Sequence, residues 1–240
     1  MNKSKTAVRY WAIVPAAGGG KRMESNTPKQ YLKLHDKTII EHTLMKLSAQ
    51  PELSGIMVAV SKGDQYWPAL NFKSSLPLYM ADGGEERCHS VLNALYELET
   101  VAAKDDWVLV HDAARPCVRN EDISKLINTL AEHPVGGLLG LPVSDTVKRT
   151  DAENIIEKTV SRKGLWRAVT PQMFRIGALK SALEKAIADD YLVTDDASAM
   201  EHSRQMPVMV EGHSDNIKIT HPADLKMAEF YLQLQASESF

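Results

Sequence analysis

The sequence predicts an α/β fold: one domain built on a mainly parallel sheet flanked by helices, with a protruding β-hairpin arm. Three observations carry that expectation. Short apolar runs alternate with longer stretches of helical period, the rhythm of βα units. A chain of 240 residues, 44% of them hydrophobic, can fill one large core. One polar stretch, residues 142–164, breaks the rhythm with β-branched residues on both sides of the turn-forming TDAEN.

Taken in order, strands are expected over residues 8–15, 56–60, 78–81, 107–111, 137–141 and 206–211. Between them, IIEHTLMKL spaces Ile40, Leu44 and Leu47 on one helical face, and VLNALYEL does the same with Val91, Ala94, Leu95 and Leu98. These stripes read as core. The interruption at 142–164 reads as a long hairpin too polar to own a core, and so as an arm that lies against something else, either as a surface excursion or around a partner subunit. THPADLKMAEFYLQLQ reads as a closing helix, with Thr220 as N-cap, Pro222 in the first turn, and Leu225, Ala228 and Leu232 on one face. No internal repeat or shift in composition marks a boundary, so residues 1–240 are expected to form a single Rossmann-like domain.

Composition narrows the function classes. With 28 basic and 31 acidic residues and a net charge of −3, no global basic field argues for nucleic acid, and any anion site must be local. Cys88 and Cys117 lack CxxC spacing, which suggests neither a disulfide framework nor a zinc site. No uninterrupted apolar run is long enough to span a membrane, and the N-terminal apolar stretch leads into glycines rather than a cleavage site. A cytoplasmic protein is expected.

The local anion site has an obvious candidate. VPAAGGGKRM, residues 14–23, places consecutive glycines and adjacent cations directly behind the first strand. Bare backbone there lets main-chain N–H groups converge on phosphate oxygens. The spacing fits neither well-known glycine motif: Met23 stands where a dinucleotide fingerprint needs its third glycine, and Lys21 is followed by Arg22 rather than Ser or Thr. Lys29 in TPKQYL adds a third cation a few residues on. Three cations this close repel one another unless an anion sits among them.

PAAGGGKRM with PKQYL resembles the signature loop of the sugar-nucleotide pyrophosphorylase superfamily, which surrounds a nucleoside triphosphate. DGGEERCHSV, VHDAARP, TPQMF, TDDASAME and EGHSDNIKIT, in that order, resemble the 2-C-methyl-D-erythritol 4-phosphate cytidylyltransferases of the non-mevalonate isoprenoid pathway. The resemblance implies transfer of CMP from CTP to the phosphate of 2-C-methyl-D-erythritol 4-phosphate, with pyrophosphate released and Mg²⁺ accompanying the triphosphate. It implies a nucleotide site of Ala16, Ala17, Gly18, Gly20, Gly84, Glu85, Arg87 and Ser90, with Arg87 orienting the Glu85 carboxylate. Arg22 and Lys29 are implied as stabilisers of the transition state. Asp112, Ala113, Arg115, Thr146, Thr170 and Asp215 are implied against the acceptor, Arg162 and Lys218 as the clamp on its phosphate, and Asp112 as the protein contact of the metal. Thr146 and Arg162 fall on the arm, so a homodimer is implied in which each arm completes the neighbouring site.

This chemistry matches what the residues offer. A phosphate monoester has its second pKa near about 6, so the attacking oxygen is largely ionised at neutral pH and no general base is needed. The obstacle is an anion approaching an anion, which cations overcome. Other readings stay open at this point: helix-capping acids at Glu85 and Glu86, a structural ion pair between Asp112 and Arg115, an acceptor such as ribitol 5-phosphate, or a nucleotide-binding regulatory module without turnover.

Overall fold

The YWAIVP run opens the architecture. In the computed structural model, which describes residues 8–19, 23 and 27–238, it forms strand β1 (Tyr10–Pro15) with Trp11 to Val14 all buried. Alternation sends Ala12 and Val14 to one face of the sheet and Trp11 and Ile13 to the other, and each pair joins a different hydrophobic cluster. A strand apolar on both faces belongs at the centre of a covered sheet.

β1 is flanked by β4 (Leu53–Val60) and β6 (Trp107–Val110), both parallel to it. Beyond β4 lies β5 (Leu78–Asp82). The seven-stranded sheet continues past β6 through β10 (Trp166–Arg175) and β7 (Gly136–Pro142) to β11 (Val208–Glu211). Only β10 runs against the others. Two short strands, β2 (Lys33–Leu34) and β3 (Lys37–Thr38), pair with each other outside this sheet.

One face is covered by α1 (Ile39–Ser48) and α3 (Asn120–Leu130), the other by α2 (Arg87–Leu98), α4 (Ile176–Ala188) and α5 (Asp196–His202). The expected stripes on α1 and α2 are fully buried, each Ile, Leu or Val side chain contributing about 1.5–3 kcal/mol. Thr38 begins α1 with a capping box: its hydroxyl accepts from Glu41 N–H, and the Glu41 carboxylate accepts from Thr38 N–H at 2.7 Å.

Two sequence expectations need correction. The ten-residue strand β10 lies between two central strands, yet Pro171 and a pairing irregularity between Ala168 and Gln172 hide its period. Thr220 does not cap the last helix, α6 (Pro222–Glu238): its N–H and hydroxyl both donate to Asp224 Oδ2, at 2.8 and 2.9 Å. The arm is a separate hairpin of β8 (Val147–Thr150) and β9 (Ile156–Val160), turned by Asp151, whose carboxylate accepts from the N–H groups of Glu153 and Ile155. Among the described residues no helix is long and apolar enough to cross a membrane.

Candidate active site

The parallel strands β1, β4, β5 and β6 end on the same edge of the sheet, where ligands collect in open α/β folds. The loop after β1 is fastened there from beneath. Ala16 N–H donates to the Ala59 carbonyl at 2.8 Å, Gln30 Nε2 to the Ala16 carbonyl at 2.6 Å, and Ser61 Oγ to the Ala17 carbonyl at 2.8 Å. Gly18 lines the cleft, and among the described residues no atom outside its immediate chain neighbours lies within 4 Å of where its Cβ would stand. Gly20 and Arg22 lie outside the described residues. Lys29 begins a short turn (Lys29–Tyr31) on the cleft wall, its ammonium donating to the Ile219 carbonyl at 3.2 Å.

The DGGEER segment closes against this loop from β5. A Cβ on Gly83 would stand 2.2 Å from that of Ala17, so only glycine lets the two loops meet. Gly84 N–H donates to Ser90 Oγ at 3.0 Å, and that hydroxyl donates to the Glu86 carbonyl at 3.2 Å. Ser90 therefore shapes the loop. Together these segments, with Glu85, Asp112, Ala113 and Lys218, line one cleft that opens to solvent.

Arg87 does not serve Glu85. Its Nε donates to Asp112 Oδ1 at 2.9 Å and its Nη2 to Asp196 Oδ2 at 2.8 Å, two buried carboxylates whose attraction outweighs that of an exposed one. Asp112 is a hub: Lys218 Nζ and Arg115 Nε also reach its Oδ2, at 2.8 and 3.4 Å. Burial pushes the Asp112 carboxyl up, but Arg87, Lys218 and Arg115 overcome it and hold the group well below the usual carboxylate range. These surroundings do not suit Asp112 as a magnesium ligand, because a divalent ion would meet three cations already seated on both oxygens.

His111 organises the turn behind Asp112. It is fully buried, and burial pushes its pKa down to about 4. Nε2 faces the Arg115 carbonyl at 3.1 Å, so the neutral ring carries its proton there and Nδ1 accepts from the Thr170 hydroxyl at 3.0 Å. The same hydroxyl accepts from Asp112 N–H at 3.1 Å. Thr170 thus spends its hydroxyl on positioning Asp112, where a contact to substrate was expected. An adjoining recess carries Arg115, Thr170 and Asp195 and shares Arg87, Asp112 and Lys218 with the main cleft.

Three expected residues are not brought to this cleft within the chain. Asp215 turns toward α6, where its Oδ2 accepts from Arg119 at 2.8 Å and Gln235 at 3.0 Å. Thr146 and Arg162 stay exposed at the base of the arm, Arg162 donating to the Ser144 carbonyl. Conversely, Gln30, Ser61, His111 and Asp196 were not foreseen from sequence. Gln30, His111 and Asp196 lie inside the quoted motifs, and that position was the available signal. Nor did cysteine spacing reveal that Glu86, Cys88 and His89 hold ligand-type atoms within 4.8 Å of one another at the start of α2. Cys117 is a buried thiol that burial pushes up to about 12.

Comparison with known proteins agrees with this geometry. The sequence profile of IspD, 2-C-methyl-D-erythritol 4-phosphate cytidylyltransferase, matches residues 10–234. The 2-C-methyl-D-erythritol 4-phosphate cytidylyltransferase of Hahella chejuensis is 54% identical over 225 residues, covering 94% of this chain and 93% of that protein. That of Vibrio vulnificus is 49% identical over 221 residues, covering 92% and 93%. The crystal structure of the Francisella tularensis enzyme superposes with a TM-score of 0.80 at 37% identity, covering 93% of this chain and 99% of that one. Sequence, fold and cleft concur: the chain belongs to the IspD family of 2-C-methyl-D-erythritol 4-phosphate cytidylyltransferases.

Proposed function

We infer that the chain joins CTP to 2-C-methyl-D-erythritol 4-phosphate, releasing pyrophosphate and forming the cytidine diphosphate derivative of the sugar alcohol for isoprenoid synthesis. One observation carries the assignment of roles. The first glycine loop, Lys29 and the Asp112–Lys218 pair face a single cleft, which puts phosphate-binding backbone beside two separate cations. The loop and Lys29 take the triphosphate, with Arg22 beside them in sequence. Gly84, Glu85 and the backbone shaped by Ser90 take the base. Lys218 and Arg115 take the acceptor phosphate.

The acceptor phosphate, already ionised at neutral pH, attacks the α-phosphorus in line with the leaving pyrophosphate. Lys29 and Arg22 stabilise the charge that grows on the transferring group. No proton need be removed, and His111, neutral with both ring nitrogens engaged, is a structural pin rather than a base. CTP enters as its Mg²⁺ complex, the metal held by phosphate oxygens and water as part of the substrate.

We further propose that the chain acts as a homodimer in which the arm supplies Thr146 and Arg162 to the partner's cleft. Exposed apolar residues support this: Ile155 is 65% and Ile156 59% accessible at the arm's turn.

The test is pyrophosphate release with Mg²⁺, each of the four ribonucleoside triphosphates, and either 2-C-methyl-D-erythritol 4-phosphate or ribitol 5-phosphate. Release with CTP and the methylerythritol acceptor alone is expected. Preference for ribitol 5-phosphate overturns the acceptor, and no release from folded protein overturns the activity.

A further inference from the structure

TDDASAME leaves one acid without a role in the transfer described so far. Asp195 is accounted for: it caps α5, accepting from Ser198 N–H at 2.9 Å, and it accepts from Gln172 Nε2 at 2.8 Å. Asp196, the next residue, has no part in that capping. Its side chain is completely buried, one oxygen takes Arg87 Nη2 at 2.8 Å, and the other, Oδ1, has no hydrogen-bond partner among the described residues. A buried carboxylate with an unmatched oxygen adds little to stability compared with a well-packed apolar residue. What it does achieve is geometric.

We propose that Asp196 is a positioning residue for the transfer reaction, acting through Arg87 on Asp112. The guanidinium of Arg87 is gripped on two edges by two carboxylates, Nε by Asp112 and Nη2 by Asp196, which fixes its plane. Without Asp196 a single contact is left, and the plane can turn about it. Asp112 then loses its fixed partner on Oδ1, while Lys218 and Arg115 still pull on Oδ2. Asp112 carries Lys218 at 2.8 Å, so the placement of that ammonium depends on where the Asp112 carboxylate stands. Burial dominates the titration of Asp196 and pushes its carboxyl up against the opposing pull of Arg87.

This inference rests on assigning the Asp112 end of the cleft to the acceptor, and the experiment separates the two. Steady-state kinetics on the full chain, with CTP affinity and thermal stability measured alongside, compares Asp196→Asn, Arg87→Met, the double variant and Lys218→Ala. Asp196→Asn is expected to lower kcat/KM for the acceptor at least tenfold, chiefly through KM, with CTP affinity within twofold of wild type. The double variant is expected within twofold of Arg87→Met, because Asp196 has nothing to position once Arg87 is gone. Should Asp196→Asn fail to fold, that last comparison still decides, since the double variant removes both buried charges together. An Asp196→Asn enzyme within twofold of wild type, or a double variant a further tenfold below Arg87→Met, overturns the positioning role. If Lys218→Ala also leaves acceptor KM unchanged, the acceptor assignment itself falls.

Discussion

With Arg87 on one oxygen and Lys218 and Arg115 on the other, Asp112 keeps its charge balanced even when one cation leaves. Lys218→Ala should therefore fold normally. The Lys218 side chain is 37% exposed, so its ammonium can donate to an incoming phosphate while Asp112 still holds it. A charge-assisted hydrogen bond contributes about 1.5–3 kcal/mol, so the variant is expected to raise acceptor KM by roughly tenfold to a hundredfold, with little change in CTP affinity. Steady-state kinetics with each substrate varied in turn checks this, and an unchanged acceptor KM would count against the assignment. Lys29 is expected to differ, because stabilisation that grows as charge develops appears in kcat. Lys29→Ala should lower kcat about a hundredfold to a thousandfold while CTP still binds, as measured by single-turnover kinetics beside nucleotide titration.

At the scale of elements, the antiparallel strand β10 has the largest part in building the acceptor end. Running against its neighbours, it delivers its first half to the edge where the other strands end, and Thr170 meets His111 and Asp112 there. The sign of the resulting pH dependence follows from His111. Its folded pKa is lowered to about 4 by burial, against roughly 6.5 for the unfolded chain. Between those values the unfolded state binds the extra proton, so stability is complete above about pH 6.5 and falls as pH drops toward 4, by a total on the order of 3 kcal/mol. Asp112 acts only lower, because its depressed carboxyl loses stabilisation below the ordinary carboxylate range. His111→Asn should be less stable at pH 7 and show a flatter melting temperature between pH 6.5 and 4; an unchanged slope would assign the dependence elsewhere. Much of this scale was legible in the sequence. Six strands of the central sheet and the stripes on α1 and α2 fall within two or three residues of their expected positions, because β-branched runs and helical spacing reflect burial directly. β10 was not, since Pro171 breaks its pattern and its start at Trp166–Ala168 is exposed. In the cleft, Asp112 and Lys218 could be found from their motifs, whereas the hold of Asp196 on Arg87 could not. That contact joins residues 109 positions apart through the tertiary fold.

At the scale of the whole molecule, the question is where Arg162 acts. It sits exposed at the base of the hairpin, and neither it nor Thr146 lines the cleft of its own chain. Among the described residues the arm's β8 and β9 pair only with each other, and a lone two-stranded ribbon is marginal in water. Both facts fit an arm that is ordered by, and contributes to, a second copy. Mixing two inactive variants tests this. Arg162→Ala would remove the group an arm donates, and Lys29→Ala the cation a cleft owns. In a dimer with shared sites, a mixed pair has one site carrying both substitutions and one carrying neither. Random exchange at equal concentration makes about half of the dimers mixed, so about a quarter of all sites become wild type. Activity should rise from the residual level of either parent toward about a quarter of wild type as subunits exchange, at the rate at which exchange is seen by mass spectrometry of labelled chains. If each site were built within one chain, every site in every mixture would still carry one substitution, and activity would stay at the mean of the parents. A rise that fails to track exchange would point to refolding of one parent, which measuring each variant alone under the same incubation detects.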